Sequence, residues 1–352
     1  MTDPESADIT RTRSVPPFAV GSALSPQRVR WVLVVIVICA IAAFTWHITH
    51  PPFRESDFQY YYLATRLWSE GVDPYALRPF TPLWPLRDRL FYPLPALILM
   101  APVAWLRMDV AHVVFVTAAG GFLAWRISRN AIWPLLIFAS PSFLFAAVTG
   151  QWSPWPTFAA LTPGAGFLLS AKPTLGVACW CYRPSRWHLV TGAAITLVSL
   201  ALMPSWPLAW LGNLHQVEAV AHPTPITYQW GPLLALAALR WRTREARLLL
   251  AMAFVPQVLF FYDQLPLFLV CRTRREALAF IGWGMAVMMV YLMPAFVGFG
   301  GPWALVACYL PALVIVLRRP NEGPAPQWIE RRTLNWPQWI RGASLSKLST
   351  IR

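Results

Sequence analysis

Between Trp31 and Leu317 the chain is a succession of apolar runs separated by short loops in which arginines cluster, and this pattern constrains the fold more than any single motif. The first run extends from Trp31 to about His47, and Arg11, Arg13, Arg28 and Arg30 precede it. Later runs lie at approximately 91–106, 110–126, 131–149, 153–182, 188–203, 229–240, 247–262, 264–271, 277–297 and 301–317. Only 12% of the residues are charged, against roughly 25% in an ordinary soluble domain. The expected class is an all-α polytopic membrane protein, a bundle of about 9–11 transmembrane or re-entrant helices. A net charge of +14 would otherwise suggest nucleic acid as a partner. Here the arginines sit between apolar runs, so they read as topology signals and contacts to membrane lipids, and no nucleic-acid partner is expected.

Sidedness follows from the same clusters. Arg126/Arg129, Arg183/Arg186, Arg240/Arg242/Arg244/Arg247, Arg272/Arg274/Arg275 and Arg318/Arg319 are assigned to the cytoplasm with the N-terminus. The loop from Thr49 to Leu90 is then external, together with Gly150-Gln151, the His215 to Gln229 loop and Tyr262-Asp263-Gln264. If every cluster is inside, parity requires segment 91–106 to re-enter rather than span; a thin tilted span with one cluster outside is the alternative. Residues 1–27 are rich in Ser, Thr, Pro and Asp and read as a disordered cytoplasmic tail. Residues 28–319 form the membrane domain, with 49–90 as its external loop. Residues 320–352 interleave tryptophan with arginine, as suits either a basic interfacial helix or a disordered tail. The first apolar run lacks a small-residue cleavage site and reads as a retained anchor in a plasma (inner) membrane.

The external loop holds the stretch Arg54-Glu55-Ser56-Asp57-Phe58-Gln59-Tyr60-Tyr61-Tyr62. Asp57, Tyr61, Tyr62 and Leu63, followed by Arg66, Leu67, Trp68 and Glu70, have the spacing of a helix lying in the interface. Gly71 stops it, and Asp73-Pro74-Tyr75 makes a turn. A carboxylate at the lip of a bilayer is costly unless solvated or paired, which marks Asp57 as a functional candidate; the competing role is a helix cap. Lys172 is the only lysine before the C-terminal tail and sits inside an apolar run, where an idle ammonium is expensive. Prolines 93, 95, 102, 141, 154, 156, 163, 256 and 266 break the runs, and broken helices at membrane depth point to an internal site. Trp84 and Trp230 are candidates for stacking on a sugar.

Several chemistries lack their residues. There is no P-loop, GxGxxG, HExxH or GxSxG element, and no repeat at fixed period. The five cysteines lie in or beside apolar runs without a CxxC pair, so neither a disulfide framework nor a zinc site follows. His215 and His222 lack a third ligand, and no metal or cofactor is assigned.

Taken in order, Ser56-Asp57-Phe58-Gln59-Tyr60-Tyr61-Tyr62-Leu63-Ala64, Gly71-Val72-Asp73-Pro74-Tyr75, Phe91-Tyr92-Pro93-Leu94-Pro95, Thr149-Gly150-Gln151 and Ala171-Lys172-Pro173 resemble glycosyltransferase family 87 of the GT-C superfamily. The matches span residues 55–175, with an echo at Tyr262-Asp263-Gln264. Gln264 stands where many relatives carry histidine, and Leu94 replaces a proline. The resemblance implies a polyprenyl-phosphate sugar donor, an external lipid or glycan acceptor, and an inverting transfer of mannose or a similar sugar with Asp57 as general base. Such a transfer needs cationic or hydrogen-bonding groups for the leaving phosphate, and Arg54, Arg66, Lys172, His215 and His222 are the candidates. Glu55, Tyr61, Tyr92, Gln151, Asp263 and Gln264 complete the expected substrate-binding set. A flippase or other transporter for a lipid-linked substrate is the alternative, since broken helices and an intramembrane lysine suit it as well.

Overall fold

Helix starts in this chain are set by hydroxyl caps and by prolines whose missing N–H falls where no intrahelical partner exists. A computed structural model describes residues 25–49, 56–217, 224–257, 259–293 and 302–322. All regular structure among the described residues is helical. The first four helices are α1 (Pro26–Thr49), α2 (Asp57–Ser69), α3 (Leu94–Ala104) and α4 (Met108–Ile127). A 3-10 helix, Trp133–Ala139, leads into α5 (Pro141–Thr149) and α6 (Pro154–Leu161); a second, Pro163–Ala171, leads into α7 (Pro173–Tyr182). Then come α8 (Arg186–Leu202), α9 (Trp206–Val217), the 3-10 helix Gly231–Arg240, α10 (Arg244–Phe254), the 3-10 helix Phe261–Val270 and α11 (Arg274–Tyr291). The last segment joins α12 (Pro302–Ala304), a π-helical turn Leu305–Tyr309 and α13 (Leu310–Leu317). Ser140, Ser185 and Thr243 cap α5, α8 and α10, and Thr273 with Glu276 forms a capping box on α11. The run expected at 153–182 is thus three short legs, broken at Pro163 and Pro173.

Among the described residues two helices, α1 and α4, are long and apolar enough to cross a membrane. A third counts if α8 and the Trp206–His215 part of α9, bent by 97°, form one span.

The bundle has two chemically distinct ends. At the first, the Arg30 guanidinium on α1 donates to Trp125 O (2.9 Å) and Ser128 Oγ (3.1 Å) at the close of α4, so the two long helices run antiparallel. Arg126 reaches Leu161 O at the end of α6 (2.9 Å), and Arg247 reaches Cys181 O at the end of α7 (3.2 Å). Glu245, fully buried at the start of α10, accepts two hydrogen bonds from Arg272 (2.8 and 2.6 Å) and one from Arg244 (3.1 Å). Arg319 pairs with Glu276 (2.7 Å), and Arg272 also pairs with Glu322. These arginines are therefore more than topology signals: part of the set neutralises a buried carboxylate and ties α10, α11 and α13 together.

At the other end α2 lies across the bundle. Phe58 stacks on His112 of α4 (4.6 Å between centroids), and the Tyr62 hydroxyl donates to Leu106 O (2.7 Å). Tyr61 packs edge-on against Tyr92 (5.0 Å). Both ends of segment 91–106 thus touch α2, and α3, with 11 residues, is only ~16 Å long. The segment therefore stays beside α2 at one end of the bundle.

The loop between α2 and α3 follows its local signals. Gly71 adopts φ +85°, and the Asp73 carboxylate accepts from Tyr75 N (2.8 Å). Asn213 of α9 donates to Tyr75 O and Leu90 O (both 3.3 Å), and Trp210 donates to Phe91 O (2.7 Å), which pins the loop under α9. Trp84 corrects the expectation of a sugar-stacking surface: it is fully buried, edge-on to Tyr60, with its indole N–H donating to Asp88 O (2.7 Å). It is the core of the loop. Trp230 remains half exposed.

Candidate active site

Asp57 is the first residue of α2, and Ser56 before it makes no side-chain cap. The Asp57 carboxylate does not cap either; it accepts a hydrogen bond from Gln151 Nε2. Gln151 is delivered by the end of α5, where Gly150 turns into the left-handed region at φ +66° and Gln151 N bonds back to Ala146 O (2.8 Å). The Tyr61 hydroxyl donates to Gly150 O, and His112 Nε2 donates to Ala147 O (2.9 Å), so the turn is held on two sides. A Cβ on Gly150 would stand 2.7 Å from Phe58 Cβ and 3.0 Å from His112 Nε2. Gly150→Ala is expected to lower unfolding stability by about 2 kcal/mol, from the strained backbone and the crowding together. Thermal unfolding in detergent measures it, and an unchanged midpoint would mean that the turn relaxes freely.

The remaining groups arrive from two further breaks in the chain. Lys172 lies between the 3-10 helix Pro163–Ala171 and α7, and its Nζ donates to Gln151 Oε1 (3.2 Å) and Asp263 Oδ1 (2.5 Å). Tyr92, just before α3, donates its hydroxyl to Gln151 Oε1 (3.4 Å). Asp263 stands in the first turn of the 3-10 helix Phe261–Val270. One hydrogen-bonded chain therefore runs Asp57, Gln151, Lys172, Asp263, its longest single link joining residues 94 positions apart. Gln151 and Asp263 are buried at 1% exposure, whereas the Lys172 side chain keeps 18% and Asp57 is half-buried. The accessible edge of the cluster is therefore the acid and the ammonium.

The electrostatics are set by this enclosure. Burial pushes the Asp57 carboxyl up to about 6; the Lys172 ammonium opposes the shift, and the negative charge of Asp263 adds to it. The Tyr262 hydroxyl hydrogen-bonds Asp57 in the same sense as Lys172, favouring the ionised form. A carboxylate with such a value is ionised in most molecules at neutral pH and still basic enough to take a proton.

The expected site residues do not all gather here. Asp57, Tyr61, Tyr92, Gln151, Lys172 and Asp263 do. Gln264 turns into a neighbouring buried network, donating to Gln257 Oε1 (3.4 Å) and Phe260 O (3.1 Å), while Gln257 donates to the Tyr309 hydroxyl (2.7 Å). Arg66 sits at the far end of α2 beside Tyr62 (3.4 Å), and His215 is exposed on α9. Arg54, Glu55 and His222 lie outside the described residues, as do the tails 1–24 and 323–352. Among the described residues no group of three or more His, Cys, Asp or Glu side chains is placed to hold a metal ion. Two contributors stand outside the expected set of site residues: Tyr262, whose ring lies 5.7 Å from Lys172 Nζ, and Ser153, whose hydroxyl anchors Tyr262 O (2.5 Å). The echo at 262–264 pointed to the first, and nothing pointed to the second.

Comparison with protein-family models, with curated proteins and with solved structures finds no match to this chain.

Proposed function

We propose that the chain is a multi-pass membrane glycosyltransferase of GT-C type that moves a sugar from polyprenyl phosphate to a hydroxyl of an external lipid or glycan, with inversion. The observation that carries the reading is the hydrogen-bonded chain from Asp57 through Gln151 to Lys172, which sets an accessible carboxylate beside an accessible ammonium. In the reaction the acceptor hydroxyl gives its proton to Asp57 as its oxygen bonds to the anomeric carbon. The bond from that carbon to the phosphate oxygen breaks, and its electron pair leaves with the polyprenyl phosphate. Lys172 faces the charge that grows there, and Asp263 holds Lys172 in place. Tyr92 and Tyr61 fix Gln151 and the turn that bears it.

The membrane arrangement supports the same reading. Putting the arginine-rich end in the cytoplasm makes the Asp57 end external, where sugars are available on lipid carriers rather than on nucleotides. The packing of both ends of segment 91–106 against α2 suits a segment that does not cross, as this sidedness would need. From Lys172 the ten residues of α7 reach the arginine end in ~15 Å, about half the ~30 Å hydrocarbon thickness. The site thus sits at a depth that a prenyl phosphate entering from the bilayer reaches sideways.

Purified protein incubated with a panel of polyprenyl-phosphate sugars should release polyprenyl phosphate. Substrate movement across proteoliposomes without any glycosyl product would overturn the transferase in favour of a flippase. The raised value at Asp57 also gives a pH expectation. The base works only when ionised, so transfer should be on a plateau above pH about 7 and fall tenfold per unit below pH about 6. A rate that stays flat from pH 5 to 8 under chemistry-limited conditions, an interval of about three units, would remove Asp57 from the proton transfer.

A further inference from the structure

The arginine-rich end holds its described acids on one side. On the side of α10, α11 and α13, Glu245, Glu276 and Glu322 pair with Arg244, Arg272 and Arg319 among the arginines there. On the side of α1, α4, α6 and α7 no described carboxylate stands among the arginines. Arg30, Arg126, Arg129 and Arg183 meet at the close of α4 and α7, near enough for Arg129 and Arg183 to act electrostatically on Arg126. Arg30 bonds Trp125 O and Ser128 Oγ, Arg126 bonds Leu161 O, and Arg129 lies over the Trp125 ring at 4.6 Å. The described acids between residues 26 and 217 are Asp57, Glu70, Asp73, Asp88 and Asp109, and all belong to α2, its loop or the start of α4, at the opposite end.

Helix dipoles do not close the gap. The C-termini of α4, α6 and α7 contribute about −0.5 each, so ~1.5 negative charges face four guanidiniums. Arg30 and Arg126 are half-buried and held by the carbonyls they bond, while Arg129 and Arg183 are exposed above them. Guanidinium forks held in this way at a helix-end surface match the oxygens of a phosphodiester.

We propose that Arg30, Arg126, Arg129 and Arg183 form a binding site for the headgroup phosphate of an anionic phospholipid in the leaflet at that end. The lipid supplies the negative charge that no described carboxylate supplies on this side. The inference takes the membrane reading but is independent of the transfer chemistry. It is tested on the full chain in nanodiscs of equal phosphatidylglycerol and phosphatidylcholine, released into mild detergent, with retained lipid counted by native mass spectrometry. Phosphatidylglycerol should be retained preferentially. Arg126→Gln with Arg183→Gln should weaken its retention roughly thirtyfold, the usual worth of two basic residues at an anionic surface. The charge-preserving Arg126→Lys with Arg183→Lys should keep most of it, and Arg107→Gln, which removes a cation at the opposite end, should change nothing. Equal retention of the two lipids by the unaltered chain overturns the site even if the glutamine variant fails to fold. Undiminished retention by that variant also overturns it, and displacement by millimolar inorganic phosphate would reassign the site to a free anion.

Discussion

Asp57→Asn is expected to leave a folded protein whose sugar transfer falls by roughly 10²–10⁴-fold, the contribution of a positioned general base. The substitution is nearly isosteric, and an asparagine oxygen still accepts the hydrogen bond that Gln151 Nε2 donates. Removing the charge also relieves the burial and the repulsion from Asp263 that raise the Asp57 carboxyl. Stability should therefore hold or rise, which separates this variant from a general lesion. At 1.36 kcal/mol per tenfold the loss corresponds to about 3–5 kcal/mol of barrier. It should fall on kcat, with KM for the donor changed by no more than a few fold, because Lys172 and its support remain. The measurement is steady-state transfer from a polyprenyl-phosphate sugar alongside thermal unfolding. Turnover within a few fold of the unaltered protein would end the assignment of the base.

How much of this arrangement was legible depends on whether the signal was local. The helix at Asp57–Ser69, its stop at Gly71 and the turn at Asp73 were readable because their causes lie within a few residues. Asp57, Gln151, Lys172 and Asp263 were readable because polar groups are rare in apolar runs and each must find a partner. Their convergence came only from assigning loops to one side. The 3-10 character of Pro163–Ala171, Gly231–Arg240 and Phe261–Val270 was not readable, since an apolar run has no polar face from which to count a period of 3.0 or 3.6. The same twist explains Gln264. Adjacent residues in a 3-10 helix point about 120° apart, so Asp263 faces Lys172 while Gln264 faces Gln257. Trp84 misled because an aromatic in a polar loop reads as a surface feature, whereas this loop builds a core of its own around Tyr60, Trp84 and Leu86. Glu245 was invisible for the converse reason: a lone acid beside four arginines reads as solvated until α11 and α13 close over it.

Lys172→Met should destabilise the protein by about 3–5 kcal/mol, while Asp263→Asn should cost clearly less, because the two partners are enclosed unequally. Asp263 is 1% exposed, so removing its ammonium leaves a carboxylate that must either stay ionised in a dry site or take up a proton. Lys172 keeps 18% of its surface, retains Gln151 Oε1 as an acceptor at 3.2 Å and lies 5.7 Å from the Tyr262 ring, so it is partly compensated without Asp263. Combining Lys172→Met with Asp263→Asn removes both charges of the pair, and the double variant should recover much of the loss of the lysine variant. The coupling is read from unfolding midpoints of the four proteins in one detergent. The same cycle, followed by activity, separates holding the fold from holding the donor. If Lys172 meets the phosphate, the double variant regains stability but not transfer, whereas Asp263→Asn alone keeps a measurable rate with a raised KM. Single variants that each cost less than about 0.5 kcal/mol would show that water reaches the pair and screens it. A chamber that wet leaves Lys172 no electrostatic advantage over a lysine at the surface, and its part in stabilising a leaving phosphate would have to be given up.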